Sequence, residues 1–136
     1  RICRARGLVL LIAADGRLAV RVGAHGIHLP ETGSETILPG PRFWRRRRPG
    51  WLITAAAHSP GALHQAARSG AHAALLSPVF PTSSHPGARS LGALRFARWV
   101  GGSKIPVYAL GGVSAVTAPR LHHSGAVGIA GISGIL

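Results

Sequence analysis

The chain alternates between apolar segments that favour strands and alanine-rich segments that favour helices. The first apolar run, Leu8 to Ala14, contains no polar residue. A continuous apolar run is typical of a parallel strand that is covered on both faces, so we expect this strand to be fully buried. The same pattern predicts five further strands, over residues 26–29, 51–57, 73–80, 106–110 and 127–132.

Helix-forming segments lie between most of these strands. They are predicted over residues 17–22, 61–69, 93–100 and 114–123. Gly70 is expected to end the second of these helices, and Ser114 to cap the start of the last. Residues 30–50 are rich in proline, glycine and arginine, and we expect them to form a basic, irregular insert.

Strands that alternate with helices pair in parallel, because parallel neighbours need a crossover connection. At 136 residues the chain is predicted to form one domain. Two arrangements remain open. A doubly wound open sheet would be complete at this length, whereas a (β/α)8 TIM barrel of about 250 residues would lack its first two units and its last helix. In the barrel, the six strands form one parallel sheet in sequential order.

Composition excludes a disordered protein, because 46% of the residues are apolar and only 14% are charged. Sixteen basic residues against three acidic ones give a net charge of +13. The run Arg45 to Arg48, between Trp44 and Trp51, superficially resembles a nucleic-acid patch. No nucleic-acid-binding module surrounds it, so we interpret it as solvated loop charge and expect no nucleic-acid partner. A basic nucleic-acid-associated protein stays open as a second alternative.

The expected cellular compartment follows from two features that the sequence lacks, a membrane-spanning segment and a pair of cysteines. The longest apolar run is far shorter than the roughly 20 residues that span a bilayer, so no membrane helix is expected. The single cysteine, Cys3, has no partner for an intrachain disulfide, and a cytoplasmic location is expected. The first residue is Arg, so the numbering is expected to begin inside a longer protein. A homo-oligomer is left open.

Glycines follow the last two predicted strands. Gly111 and Gly112 come after the fifth strand, and Gly131 and Gly134 come after the sixth. Such glycines let backbone N–H groups approach an anion, and the loops after the last two strands of a barrel commonly bind phosphate. Either pair alone is better explained as a tight turn. Both pairs at matching strand ends favour a phosphate site.

The loop after the fourth strand carries hydroxyls and an imidazole. Thr82, Ser84 and His85 are candidates for binding phosphate or pyrophosphate, and His85 is also a candidate acid or base. From this segment alone, an ordinary loop of proline and serine is the better explanation.

Metal-ligating residues are sparse. His25 and His28 are three residues apart, so they point to opposite faces of a strand and cannot share a metal ion. We interpret His28 as a core histidine whose hydrogen bonds are satisfied. Only three carboxylates are present, and Asp15 is the single acidic candidate at the end of the first strand. No metal site and no cofactor are therefore expected.

Seven short segments, in this order and spacing, carry a family resemblance. They are LIAAD at 11–15, GAHGIHL at 23–29, AHS at 57–59, GAHA at 70–73, SPVFPT at 77–82, IPVYALGGV at 105–113 and GAVGIA at 125–130. Together they resemble the thiamine-phosphate synthase and thiazole tautomerase family. The family fold is an eight-unit (β/α) barrel, and the resemblance implies that this chain corresponds to units three to eight, truncated before the last helix.

The resemblance also implies a reaction and its ligands. In the synthase, hydroxymethylpyrimidine diphosphate loses pyrophosphate with the help of magnesium, and the nitrogen of a thiazole phosphate captures the carbocation-like pyrimidine. The implied partners are thus a phosphorylated thiazole and a phosphorylated pyrimidine. Gly112, Ile132 and Ser133 match the positions that bind the thiazole phosphate, and Thr82 and Ser84 match hydroxyl positions of the loop that meets pyrophosphate.

Several functional positions of the family carry other residues in this chain. Ala13 and Ala14 stand in place of Asn-Asp, the second magnesium aspartate has no counterpart in 31–33, and Ala56, Pro78 and His85 replace a serine, the tautomerase histidine and a lysine. Without charged magnesium ligands the departing pyrophosphate is not neutralised, so catalysis is left open. We interpret the chain as a synthase-like protein of thiamine biosynthesis. The alternative is a non-catalytic or regulatory phosphate-binding homologue, or a tautomerase-like protein.

Overall fold

The computed structural model describes residues 2–31, 39–82, 87 and 89–132. The strands are β1 Leu11–Ala13, β2 Gly26–Leu29, β3 Leu52–Ala57, β4 Ala73–Leu76, β5 Val107–Ala109 and β6 Gly128–Ile129. The helices are α1 Ile2–Ala5, α2 Gly16–Arg21, α3 Pro41–Arg47, α4 Pro60–Ser69 and α5 Gly92–Gly101, with a 3₁₀ helix at Ala118–Leu121. None of the helices in the described ranges is long and apolar enough to cross a membrane.

The six strands form one sheet in the order β1-β2-β3-β4-β5-β6, and every neighbouring pair is parallel. This confirms the predicted sequential sheet. Leu63 of α4 and Phe96 of α5 are packed in one cluster with strand residues Ala57, Leu76 and Val107. A doubly wound sheet carries helices on both faces and reverses its strand order at a switch point. The architecture is therefore that of six consecutive units of a (β/α) barrel.

Side-chain alternation divides the sheet into two faces. Ile53 packs with Trp44 and Trp51, and Ala55 packs with Ala66 of α4. These strand residues point to the helices, so the residues between them, such as Thr54, point to the opposite face. We call this opposite side the inner face, because it is the side that lines the interior of a barrel.

The first strand is not fully buried, so that prediction is wrong. Leu8 and Val9 are 52% and 62% exposed, and the strand itself starts only at Leu11. The physical reason is position in the sheet: β1 pairs with β2 and with no other strand of the described part. Apolar composition alone does not distinguish a strand at a sheet edge from one in the sheet interior.

The basic segment contains a helix, α3, where irregular chain was expected, so the prediction is wrong over 41–47. Pro41 occupies the first turn, where a missing N–H costs nothing. The ring of Trp44 stacks on Trp51 with centroids 5.4 Å apart, which fixes the helix against β3. The run of arginines is also not purely solvated, because Arg45 donates to the carbonyl of Gly70 at 3.4 Å, at the C-terminus of α4.

The last connection also differs from expectation. An α-helix was predicted over 114–123, but the structure has turns followed by the short 3₁₀ helix. Ser114 N–H donates to Thr117 Oγ1 at 2.9 Å, so Ser114 and Thr117 form a local turn. Pro119 lacks an N–H, which removes one bond that an α-helix would need. The remaining predicted elements agree within a few residues, including Gly70, which ends α4 with φ +90°.

Candidate functional site

The carboxyl ends of all six strands meet at one edge of the sheet, because the strands are parallel. In barrels of this kind, ligands bind at this edge. The described segments found there are residues 14–15, 30–31, 58–59, 77–82, 110–113 and 130–132.

The glycine turn after β5 lies directly against the loop after β4. Gly111 and Gly112 have φ angles of +90° and +64°, a region that L-residues with a side chain seldom adopt. A Cβ atom at Gly111 would lie 2.8 Å from Cα of Pro78, and one at Gly112 would overlap the carbonyl oxygens of Phe80 and Pro81. Both the backbone conformation and the close approach therefore require glycine.

Hydrogen bonds hold the turn and the loop together through the carbonyl oxygens of the turn. Phe80 N–H donates to the carbonyl of Gly111 at 3.0 Å, and Thr117 Oγ1 donates to the carbonyl of Gly112 at 2.9 Å. Within the described ranges, the N–H groups of Gly112 and Val113 donate to no acceptor. A tight turn accounts for the glycines, and it also leaves backbone donors at the edge where an anion would bind.

The predicted site residues fall into three groups. Gly111 and Gly112 are brought against the loop that leads to Thr82, which is partly buried and has an interaction partner. Ile132 is 83% exposed after β6. Ser84, His85 and Ser133 lie outside the described residues. The convergence of all these positions on one phosphate stays a prediction.

The two acidic side chains that the structure describes at this edge are already engaged. Asp15 Oδ1 accepts from Leu18 N–H at 2.8 Å and so caps α2. Glu31 Oε2 lies 2.8 Å from the backbone N and 2.7 Å from Nδ1 of His58. Ala13 and Ala14 supply no side-chain oxygen. No group of three metal-ligating side chains exists in the part of the chain that the structure describes. Among the described residues, the side chains at this edge therefore offer a divalent cation no cluster of free carboxylates.

Sequence reasoning missed the partner of His28. Its Nδ1 lies 2.8 Å from Thr54 Oγ1, on the inner face and one residue from the end of β2. Burial lowers the pKa of His28 below its ordinary value of 6.5. The available signal was the alternation of β3, in which Thr54 is a polar residue within the otherwise apolar strand LITAAA.

Two other histidines serve the opposite edge of the sheet. His25 and His72 each follow a Gly-Ala pair and precede a strand. Leu10 N–H donates to His25 Nδ1, and Ile53 N–H donates to His72 Nδ1, both at 3.0 Å. They tie neighbouring strands together at their amino ends, far from the glycine turn along the strand direction, so we assign them a structural role.

Comparison with known proteins connects this geometry to one family. A family described as "Thiamine monophosphate synthase" matches residues 1–135. A relative from Aquifex aeolicus (strain VF5), whose name also refers to thiamine-phosphate synthase, is 38% identical over 92% of this chain and 64% of its own length. "Thiamine-phosphate synthase" from Caldivirga maquilingensis is 31% identical over 100% of this chain and 64% of its own length.

Solved structures agree with the fold. "Thiamine phosphate pyrophosphorylase" from Pyrococcus furiosus has a TM-score of 0.77 and 25% identity, covering 96% of this chain and 60% of that one. A 3-hexulose-6-phosphate synthase has a TM-score of 0.67 at 14% identity, which indicates the fold alone. The chain thus spans slightly less than two thirds of the length of these thiamine-related proteins.

Proposed function

We propose, because this chain belongs to the thiamine monophosphate synthase family, that it carries the phosphate-binding part of a thiamine-phosphate synthase. In that reaction, the nitrogen of a thiazole phosphate forms a bond to the methylene carbon of hydroxymethylpyrimidine diphosphate. The carbon–oxygen bond to pyrophosphate breaks, and pyrophosphate leaves with the electron pair. The ligands of this chain would then be a phosphorylated thiazole and a phosphorylated pyrimidine.

The observation that supports this proposal is the arrangement of backbone groups in the glycine turn at Gly111 and Gly112. Its carbonyl oxygens are held by Phe80 and Thr117, while the N–H groups of Gly112 and Val113 have no acceptor within the described ranges. Backbone N–H groups fixed in this way bind an anion without reorganisation of the loop. The proposed occupant is the phosphate of the thiazole, with Ile132 and Ser133 contributing from the loop after β6.

The proposed transfer reaction is expected to be slow. Ala13 and Ala14 offer no ligand to a divalent cation, and the carboxylates of Asp15 and Glu31 are engaged elsewhere. The charge of the departing pyrophosphate is therefore poorly neutralised. We expect magnesium-dependent formation of thiamine phosphate well below about 1 per second, the low end for ordinary enzymes. A measured turnover at or above that level would show that other residues neutralise the charge.

Calorimetric titration with thiazole phosphate and with the unphosphorylated thiazole tests the phosphate site. We expect binding of the phosphorylated form alone, and its loss in Gly112→Val, because the new side chain would collide with the backbone of Phe80 and Pro81. Gly7→Val is the matched control, since Gly7 has φ +63° and no atom within 4 Å of an added Cβ. Ser133→Ala should weaken binding only modestly, because its proposed donor is the backbone N–H.

Circular dichroism checks that each variant is folded before it is titrated. Equal affinity for the two thiazoles would contradict the phosphate site. A folded Gly112→Val variant that binds like wild type would also contradict it.

A further inference from the structure

The helices on the outside of the sheet carry positive charge that no acidic side chain of theirs offsets. Each of the five described α-helices contains arginine, and none contains Asp or Glu. The acidic side chains in the described ranges, Asp15 and Glu31, lie at the carboxyl edge and already accept hydrogen bonds. The helical surface is therefore cationic without internal neutralisation, and such a surface attracts anionic partners.

The charge is most concentrated on α2, α3 and α4, which are neighbours. The ring of Trp44 fixes α3 on residues of β2 and β3 and lies against Gly16 of α2. Arg42 of α3 donates to the carbonyl of Arg68 of α4 at 3.1 Å. We call the exposed arginines of these helices, together with the residue after α3, the arginine-rich surface; they are Arg17, Arg21, Arg42, Arg45, Arg46, Arg47, Arg48 and Arg68.

The helical conformation of α3 corrects the interpretation of its arginines as solvated loop charge. Residues three and four positions apart lie on one side of a helix, so Phe43, Arg46 and Arg47 share a face. All three are exposed, and the ring of Phe43 meets Trp44 edge to face with centroids 5.0 Å apart. Within the described ranges, Arg46 and Arg47 form no hydrogen bond or ion pair. This face thus presents two unpaired guanidinium groups beside an exposed aromatic ring.

This combination of groups fits a single-stranded nucleic acid. A guanidinium group donates two parallel hydrogen bonds to phosphate oxygens, and an exposed ring stacks on an unpaired base. A duplex keeps its bases stacked inside the helix and offers none to Phe43. A membrane surface would need a broader apolar face, and Phe43 is the one apolar side chain on this face of α3.

We propose that the arginine-rich surface binds single-stranded RNA or DNA, with Arg46 and Arg47 contacting phosphates and Phe43 stacking on a base. The surface lies on the helical side of the sheet, whereas the glycine turn lies at the carboxyl edge, so this interaction is independent of the proposed function. It also needs no sheet edge, because α3 packs on β2 and β3, which both have a strand on either side.

Fluorescence anisotropy with labelled poly-U RNA, poly-dT DNA and a duplex tests the proposal at about 0.15 M salt. Arg46→Ala combined with Arg47→Ala removes two charges from α3. Arg95→Ala combined with Arg98→Ala is the matched control, because it removes two exposed charges from α5, outside the arginine-rich surface. Phe43→Leu removes the aromatic ring and keeps an apolar side chain. Circular dichroism checks that each variant is folded.

The α3 double variant should weaken binding by roughly tenfold or more and reduce the slope of log affinity against log salt by about 1.4, at about 0.7 for each phosphate contact. The α5 double variant should change both quantities much less. Phe43→Leu should weaken binding roughly fivefold or more, through lost stacking, without a change in the salt slope. RNA and DNA should bind equally, because no contact to a 2′-hydroxyl is assigned.

Equal losses in the two double variants would show that only the net charge of +13 attracts nucleic acid, and would overturn the proposal. Unchanged affinity in Phe43→Leu, or tighter binding of the duplex, would overturn the assignment to single strands. Absence of binding at about 0.15 M salt would overturn the proposal as well. Polyglutamate and anionic vesicles are further probes, and binding to either in place of nucleic acid would assign the surface to a different class of partner.

Discussion

Ala14 adopts a backbone conformation that its side chain disfavours, and removing the side chain should stabilise the protein. It lies directly after β1 and has φ +59°, the one positive φ of a non-glycine residue in the described ranges. Its N–H donates to the carbonyl of His28 at 2.9 Å, so the conformation is held by pairing to the next strand. The proposed perturbation is Ala14→Gly, which keeps this hydrogen bond and removes the Cβ atom.

The size of the effect follows from two opposing terms. The left-handed conformation costs an L-residue with a Cβ about 1–2 kcal/mol. Glycine loses more backbone entropy on folding, at a cost of about 0.5–1 kcal/mol relative to alanine. The net gain expected for Ala14→Gly is about 0.5–1 kcal/mol, which corresponds to a rise in Tm of about 2–4 °C for a chain of this size. Ala14→Asn should also be tolerated, because asparagine adopts this conformation more readily than alanine.

Ala13→Gly is the control. Ala13 belongs to β1 and is extended, so the same substitution there brings only the entropic cost, and Tm should fall. Thermal unfolding followed by circular dichroism measures both variants against wild type. If Ala14→Gly lowers Tm as much as Ala13→Gly does, the conformational argument is refuted.

Three further predictions concern the titration of His72 and the packing around Gly26. Burial, and secondarily the nearby Arg45 charge, lowers the pKa of His72 below 6.5, so the folded state disfavours the proton that the unfolded state accepts. The contribution of His72 to the free energy of unfolding should be fully present above pH 6.5 and decrease as the pH falls below it, which urea midpoints should show. His72→Asn, whose amide oxygen can accept from Ile53 N–H, should reduce this loss. Arg45→Ala should raise the pKa of His72 in proton NMR titrations, and an unchanged or lower value would contradict the charge effect. Gly26→Ala should destabilise by about 2 kcal/mol or more, because its Cβ would overlap the carbonyl oxygen of Leu52, whereas Gly50→Ala, with open space, should change the urea midpoint little. Equal midpoints for the two glycine variants would refute the packing argument.

Local patterns were sufficient for the strands and their parallel pairing. Each strand of the sheet was predicted from an apolar segment, and parallel pairing followed from the helices between most of them. The sequential order came with the barrel that the family resemblance implies, and the sheet has that order. Gly70 was recognised as the end of α4 because a left-handed residue at a helix end is a local requirement. The family resemblance also rests on short local segments of the sequence. The family match over residues 1–135 agrees with that resemblance.

Features that depend on distant residues were missed or misjudged. The helix α3 is held by Trp44, which packs against Ile27 and Leu29 of β2 and stacks on Trp51, and the contacts with β2 are invisible in a segment whose composition suggests loop. The burial of Leu8 and Val9 was overestimated because exposure depends on which strands flank β1 rather than on its own residues.

The candidate site also contains features of both kinds, some that local sequence determines and some that depend on tertiary contacts. The sequence by itself determined that glycines follow β5 and that Ala13 and Ala14 stand where the resembled family has Asn-Asp, because both are matters of residue identity. Only the tertiary structure decided that Gly112 packs against Phe80 and Pro81, and that Thr54 lies within hydrogen-bond distance of His28. These contacts join residues some 26 to 32 positions apart, and their distances depend on strand register, which short-range patterns specify weakly.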